Sequence, residues 1–170
     1  MPFKVKLDMA NEMKRFWEKV EKTDGCWEWR ATINTWGYGQ FWAHGRITGA
    51  HRFSWQLVHG PIEKGMDLDH VCHNKSCVNP SHLRVATRKQ NSENERGPQS
   101  NSKSGILGVT WRRSTNKWEA NVRHNGRLHY AGAFKNIEDA AGAVIAKRNE
   151  LFTHNDRDRS ALTMPDRIAA

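Results

Sequence analysis

A chain of 170 residues with 37% hydrophobic content and a mean hydropathy of −0.83 has little material for one large core; it favours two small units, at least one of them stapled by metal. The formal net charge of +9 and pI near 9.8 point to a polyanionic partner, nucleic acid first. No run of about 18 apolar residues is present to span a membrane, and Met1 to Asp8 lacks the apolar core of a signal peptide, so the expected location is the host cytoplasm. Three cysteines cannot all pair within one chain, and in a reducing compartment their clustering with histidines points to metal.

In chain order, residues 9–22 predict an amphipathic helix with Met9, Met13, Phe16, Trp17 and Val20 on one stripe, ended by Thr23-Asp24-Gly25. Cys26-Trp27-Glu28-Trp29 opens a β-rich segment. Residues 37–43 and 46–48 flank His44-Gly45 as a hairpin. Ala50 to His59 predicts a helix with Gly60 just past its end. The tryptophans concentrated in this half are expected in the core, where each aromatic adds large buried area.

Leu68 to Val71 predicts a short strand, the stretch around Cys72 and Cys77 a loop, and Leu83 to Ala86 a second strand. Thr87 and Gln90 have capping-box spacing and predict a helix from Arg88 to about Arg96. The unit is strand–loop–strand–helix, and residues 1–96 are expected to form the first domain. Gly97 to Gly105 is the expected linker. Strands over 107–112, 117–124 and 128–134 follow, with turns at Ser114-Thr115-Asn116 and Asn125-Gly126. A helix capped by Asn136 comes next, with Ile137, Ala140, Ala141, Val144, Ile145 and Arg148 on one side. This βββα unit, residues 106–152, is the second domain. The tail, 153–170, is polar and expected to be loosely held. The fold class is therefore α+β, with a metal-stapled ββα unit and a three-stranded sheet carrying one helix.

The chemistry concentrates between Asp69 and Asn91. Four residues separate Cys72 from Cys77, and four more separate Cys77 from His82. This knuckle spacing suits a structural Zn²⁺, which wants four ligands; Cys26 is the remaining thiol and completes the set.

Asp69-His70, Asn79-Pro80, His82-Leu83 and Asn91 resemble the HNH/His-Cys-box (ββα-metal) nuclease superfamily, which includes phage and intron homing endonucleases. The run His70-x-Cys72-His73-Asn74-x-x-Cys77-x-Asn79-Pro80-x-His82-Leu83 resembles the His-Cys-box members, in which two Cys, a later His and a Cys far upstream hold zinc. The second, cysteine-rich zinc site of those enzymes is missing here. The resemblance implies that His70 activates water and that Asn91, 21 positions later, binds a divalent cation. Asp69, as in HNH proteins, shares that cation. The residue types suit phosphodiester hydrolysis. A neutral imidazole accepts a proton near pH 7. Carboxylate and amide oxygens hold Mg²⁺ or Mn²⁺, which neutralises the leaving oxygen. Asn79 is expected to organise the loop, and Arg52 is a candidate clamp for the scissile phosphate. His44, His51, His59 and His73 receive no role.

From Lys103 to Phe152, nine basic residues stand against four acidic ones. Gly108-Val109-x-Trp111, Lys117-Trp118-x-Ala120, Gly126, Gly132-x-Phe134 and Glu138-x-Ala140-Ala141 resemble the AP2 DNA-binding domain, whose sheet reads the major groove and which is also appended to phage HNH endonucleases. The resemblance makes Arg112, Asn121, Arg123 and Tyr130 the contact positions; Arg113 and Arg127 are further basic candidates on the same unit. Two family arginine positions are Thr110 and Leu128 here, so no target sequence transfers. Trp118 is expected in the core.

The sequence thus leads to a site-specific, metal-dependent, homing-type endonuclease acting on double-stranded DNA, as a monomer or homodimer, of phage or mobile-element origin. The alternative is a non-catalytic DNA-binding regulator that keeps the ββα unit as a zinc scaffold; intact Asp69, His70 and Asn91 weigh against it, because a scaffold needs none of them.

Overall fold

A computed structural model describes residues 2–95, 97–98, 101–156 and 158–159. The expected helix end at Arg96 and the tail beyond 159 lie outside the described residues. The structure is mixed α and β, with small antiparallel sheets, and the chain divides into two compact units, Met1–Arg88 and Lys89–Ala170. The division falls at the start of the helix that carries Asn91, ahead of the stretch 97–105 expected as a linker.

In the first unit the N-terminal helix α1 (Pro2–Trp17) stops five residues earlier than its apolar stripe predicts. Val20–Lys22 instead forms β1, paired antiparallel with β2 (Trp27–Trp29). The reason lies in the partners. Lys22 Nζ sits over the rings of Trp17 and Trp27, 4.5 and 4.4 Å from their centroids. Thr23, expected to end a helix, closes the hairpin: its hydroxyl donates to the Cys26 carbonyl at 2.6 Å. Met9 and Met13 are exposed, and Phe16 alone of the stripe is fully buried.

The second hairpin agrees with the sequence reading: β3 (Gln40–Ala43) and β4 (Arg46–Gly49) turn at His44-Gly45. Both turn residues take positive φ, as a tight two-residue hairpin turn requires. Helix α2 (Ala50–His59) follows with its expected bounds. Around Phe16 the rings of Trp29, Phe41 and Phe53 lie 5.0–5.2 Å away, centroid to centroid; with Val78, Ala43 and Ala50 they make the core. Not every tryptophan serves it: Trp36 is 73% and Trp42 56% exposed. The ribbon β5 (Asp67–His70) and β6 (Leu83–Ala86) completes the unit, one residue earlier than expected at the start of β5.

The second unit contains nearly all of α3 (Arg88–Glu95) and the sheet β7 (Val109–Arg112), β8 (Lys117–His124), β9 (Arg127–Phe134), with α4 (Ile137–Leu151) across one face. Val109, Ala120, Val122, Ala140 and Val144 form its core, and Trp118 packs against it as expected. Gly108 lets the chain pass close to β8: a Cβ there would collide with the Asn121 carbonyl oxygen. Asn136 occupies the N-cap position of α4 without a side-chain capping hydrogen bond, contrary to its expected role. After α4, the described residues 153–156 and 158–159 are also not loosely held. The Arg148 guanidinium pairs with Asp158, the Thr153 amide donates to Glu93 Oε2 at 3.1 Å, and Asn155 is buried.

Candidate active site and metal centre

The knuckle is built by strand pairing. The Trp29 amide donates to the Ser76 carbonyl and the Val78 amide to the Trp27 carbonyl. Segment 76–78 thus runs as an extra partner of β2 and brings Cys77 beside the distant Cys26. The Glu28 carboxylate accepts from Asn74 Nδ2 and Ser76 Oγ, clamping the loop tip. Asn79 ties the two ends together: its Nδ2 donates to the Gly25 carbonyl at 2.9 Å, and its Oδ1 accepts from the Ser81 amide at the head of the single 3-10 turn Pro80–His82. These two contacts are those of a loop organiser.

Cys26, Cys72, Cys77 and His82 converge, with one ligand atom from each within 4.8 Å of all the others. His82 Nδ1 is 3.6 Å from both the Cys26 and the Cys77 sulfur. Tetrahedral zinc with Zn–S near 2.3 Å and Zn–N near 2.1 Å sets that sulfur–nitrogen edge at about 3.6 Å, so the cluster fits the ion. The acid–base chemistry agrees. Contact with Cys72 together with burial pushes the Cys77 thiol well up, burial raises Cys26, and contact with Cys77 lowers Cys72. Three crowded sulfurs resist ionising together until a cation shares their charge.

The same knuckle holds His70. This buried imidazole has Nε2 3.0 Å from the Cys77 carbonyl oxygen. A carbonyl only accepts, so in the neutral ring Nε2 carries the proton and the lone pair lies on Nδ1, a tautomer assigned from this contact. The ring stands in a cluster with Tyr38 and His51, at centroid distances of 5.9 and 5.0 Å. Burial lowers the His51 pKa to about 3, which keeps that ring neutral. His51 is a residue to which sequence reasoning gave no role. Its place directly before Arg52 on α2 is visible in the sequence, its tilted ring contact with His70 is not.

Asp69 and Arg84 are direct cross-strand partners on the β5–β6 ribbon, next to the pair His70 and Leu83. Both Arg84 donors, Nε and Nη2, reach Asp69 Oδ2, at 2.9 and 2.7 Å. The carboxylate is 4% exposed. Arg84 also escaped the sequence reading, since only the register places it there. Arg52 sits half-buried on α2, beside His51 in sequence. Asn91 lies on α3, within the second unit.

On the three-stranded sheet, Arg112, Asn121, Arg123 and Tyr130 lie on the face opposite α4, because Ala120 and Val122 fill the helix side. Asn121 pairs with Tyr130 and Arg123 with Leu128 across the strands. Arg112 is forked onto Glu119, with both contacts at 3.0 Å. Arg113 and Arg127 are exposed at hairpin ends rather than in that row. No described helix is long and apolar enough to cross a membrane.

Comparison with known proteins adds the following. Residues 48–93 match the HNH endonuclease family. Protein 3.8 of Escherichia phage T7 is 35% identical over 67% of this chain and 90% of its own length. Protein 7.7 of the same phage is 37% identical over 41% of this chain and 54% of its own length. A mimivirus protein called an uncharacterized HNH endonuclease is 35% identical over 60% of this chain and 52% of its own length. The chain thus spans about half the length of the last two relatives. No solved structure matches.

Proposed function

The chain belongs to the HNH endonuclease family, and we propose from this that it is a site-specific, divalent-metal-dependent endonuclease of the homing type that hydrolyses double-stranded DNA. The observation that carries the reading is the His70–Cys77 contact. It supports the tautomer in which the neutral ring has its basic lone pair on Nδ1, the atom a general base would use. His70 takes the proton of the attacking water. Asp69 and Asn91 hold the cation, Mg²⁺ or Mn²⁺, which supplies positive charge where the leaving oxygen becomes negative. Asn91 enters on the resemblance and its spacing, Asp69 also on its place beside His70. Arg52 clamps the scissile phosphate. Cys26, Cys72, Cys77 and His82 hold structural Zn²⁺, and Asn79 organises the loop between them.

Residues 1–96 act as the nuclease. Residues 106–152 act as an AP2-like reader through Arg112, Asn121, Arg123 and Tyr130, with Arg113 and Arg127 on phosphates. Joining the two turns weak contact by the nuclease into cutting at chosen sites, because tethering raises its effective concentration there. Phage genomes, whose relatives are named above, suit a protein acting in the host cytoplasm. One active site per chain makes a nick natural for a monomer and a double-strand break natural for a homodimer.

The test is His70→Ala. Cleavage falls by on the order of 100-fold or more, while the gel-shift affinity for DNA stays within twofold (roughly, since the imidazole adds no phosphate contact). A variant cutting at the wild-type rate removes His70 as base. A wild type that binds DNA specifically and never cuts favours the regulator reading.

A further inference from the structure

Arg84 is unassigned by the family resemblance, yet its Nε and Nη2 both donate to Asp69 Oδ2. The pair stands one register step from His70, on a two-stranded ribbon that fixes both backbones. Asp69 is 4% exposed, and the Arg84 side chain, 28% exposed, stands on the more open side of the pair.

This has a consequence for the order of binding, and it rests on the assignment of Asp69 as cation ligand proposed above. Asp69 is the one charged ligand in that assignment, because Asn91 is a neutral amide. Arg84 stands at the same carboxylate oxygen that an incoming divalent cation would take. Like-charge repulsion from the guanidinium then weakens the cation's hold. A DNA phosphodiester brings negative charge that offsets this repulsion. We propose that Arg84 is a positioning residue that competes with the catalytic cation for Asp69, so that the cation loads tightly only together with DNA. By linkage, cation and DNA raise each other's affinity by the same factor. The nuclease is thereby kept inactive away from its substrate.

The experiment is Mn²⁺ titration of the zinc-saturated full chain, followed by the electron paramagnetic resonance of free Mn²⁺, with and without a mixed-sequence duplex at low salt. Every protein carries His70→Ala so that the DNA stays intact. Without DNA, Arg84→Gln binds Mn²⁺ about tenfold or more tightly than its parent, and Arg84→Lys, which keeps the charge, binds like the parent. The duplex tightens binding to the parent about tenfold and to Arg84→Gln by less. Zinc content and melting temperature confirm that each variant is folded, and Arg84→Met takes the place of Arg84→Gln if that variant is not: tighter Mn²⁺ binding without DNA supports the competition, and equal or weaker binding overturns it. Equal or weaker binding by folded Arg84→Gln, while Asp69→Asn abolishes binding, overturns the inference and leaves the nuclease reading in place. Unchanged Mn²⁺ binding by Asp69→Asn overturns both, because Asp69 is then no ligand.

Discussion

His70 Nε2 lies 3.0 Å from the backbone carbonyl of Cys77, so the residue proposed to take the proton is oriented by a residue of the cluster of three cysteines and His82. Structural and chemical roles therefore share one loop. The Cys77 carbonyl is aimed by the Cys77 sulfur's place in the cluster and by the pairing of segment 76–78 with β2.

Removing zinc should accordingly cost activity as well as stability. Chelation, or Cys26→Ser, is expected to lower cleavage by on the order of 10- to 100-fold and to broaden or abolish the first unit's thermal transition. Atomic absorption for zinc beside circular dichroism melts and cleavage rates checks this. Full activity in protein shown to be zinc-free would separate the cluster from the site.

His51 predicts a particular pH dependence. Burial holds its folded pKa near 3, below the model-peptide value of about 6.5. The unfolded chain therefore binds the extra proton between those values. The sign follows: this contribution to stability is complete above pH 6.5 and is lost as pH falls through the window towards 3, with a slope of about 1 kcal/mol per pH unit. Urea melts of wild type and His51→Phe between pH 7 and pH 4.5 test it. The wild type should lose stability more steeply with acid, and equal slopes would contradict the burial argument.

How much of this was legible beforehand divides by the range of the interaction. The β3–β4 hairpin, α2 and the spacing of Cys72, Cys77 and His82 are written in local patterns, and the structure has them where the patterns put them. Cys26 was reached by ligand count, and the bridge between Glu28 and Cys77 gives the physical reason it arrives. Failures occurred where a distant partner decided. Val20 continues a helical stripe in sequence, yet Lys22 finds the Trp17 and Trp27 rings and the segment becomes a strand. The 153–159 segment reads as a polar tail because its fixing partners, Glu93 and Arg148, lie far back in the chain or on α4. Arg84 and His51 carry no motif, and only register and packing reveal them.

The exposed face of the three-stranded sheet makes a separate prediction. Arg123 is exposed and forms no ion pair among the described residues, whereas Arg112 is forked onto Glu119. Arg123→Ala is expected to cost about 1–3 kcal/mol in specific DNA binding and to relax the preference at one base position. Arg112→Ala should cost less, because binding must first release it from Glu119. Selection of bound sequences from a random pool, repeated with each variant, reads both effects. An unchanged preference in Arg123→Ala would remove it as a base reader.

The most direct test of the central claim is the conversion of supercoiled DNA carrying candidate target sites by purified wild-type protein in Mg²⁺ and in EDTA. The account predicts open circles, or linear product if two active sites pair, in Mg²⁺ and none in EDTA. DNA that is specifically bound at its site yet stays supercoiled in Mg²⁺ and in Mn²⁺ would contradict it.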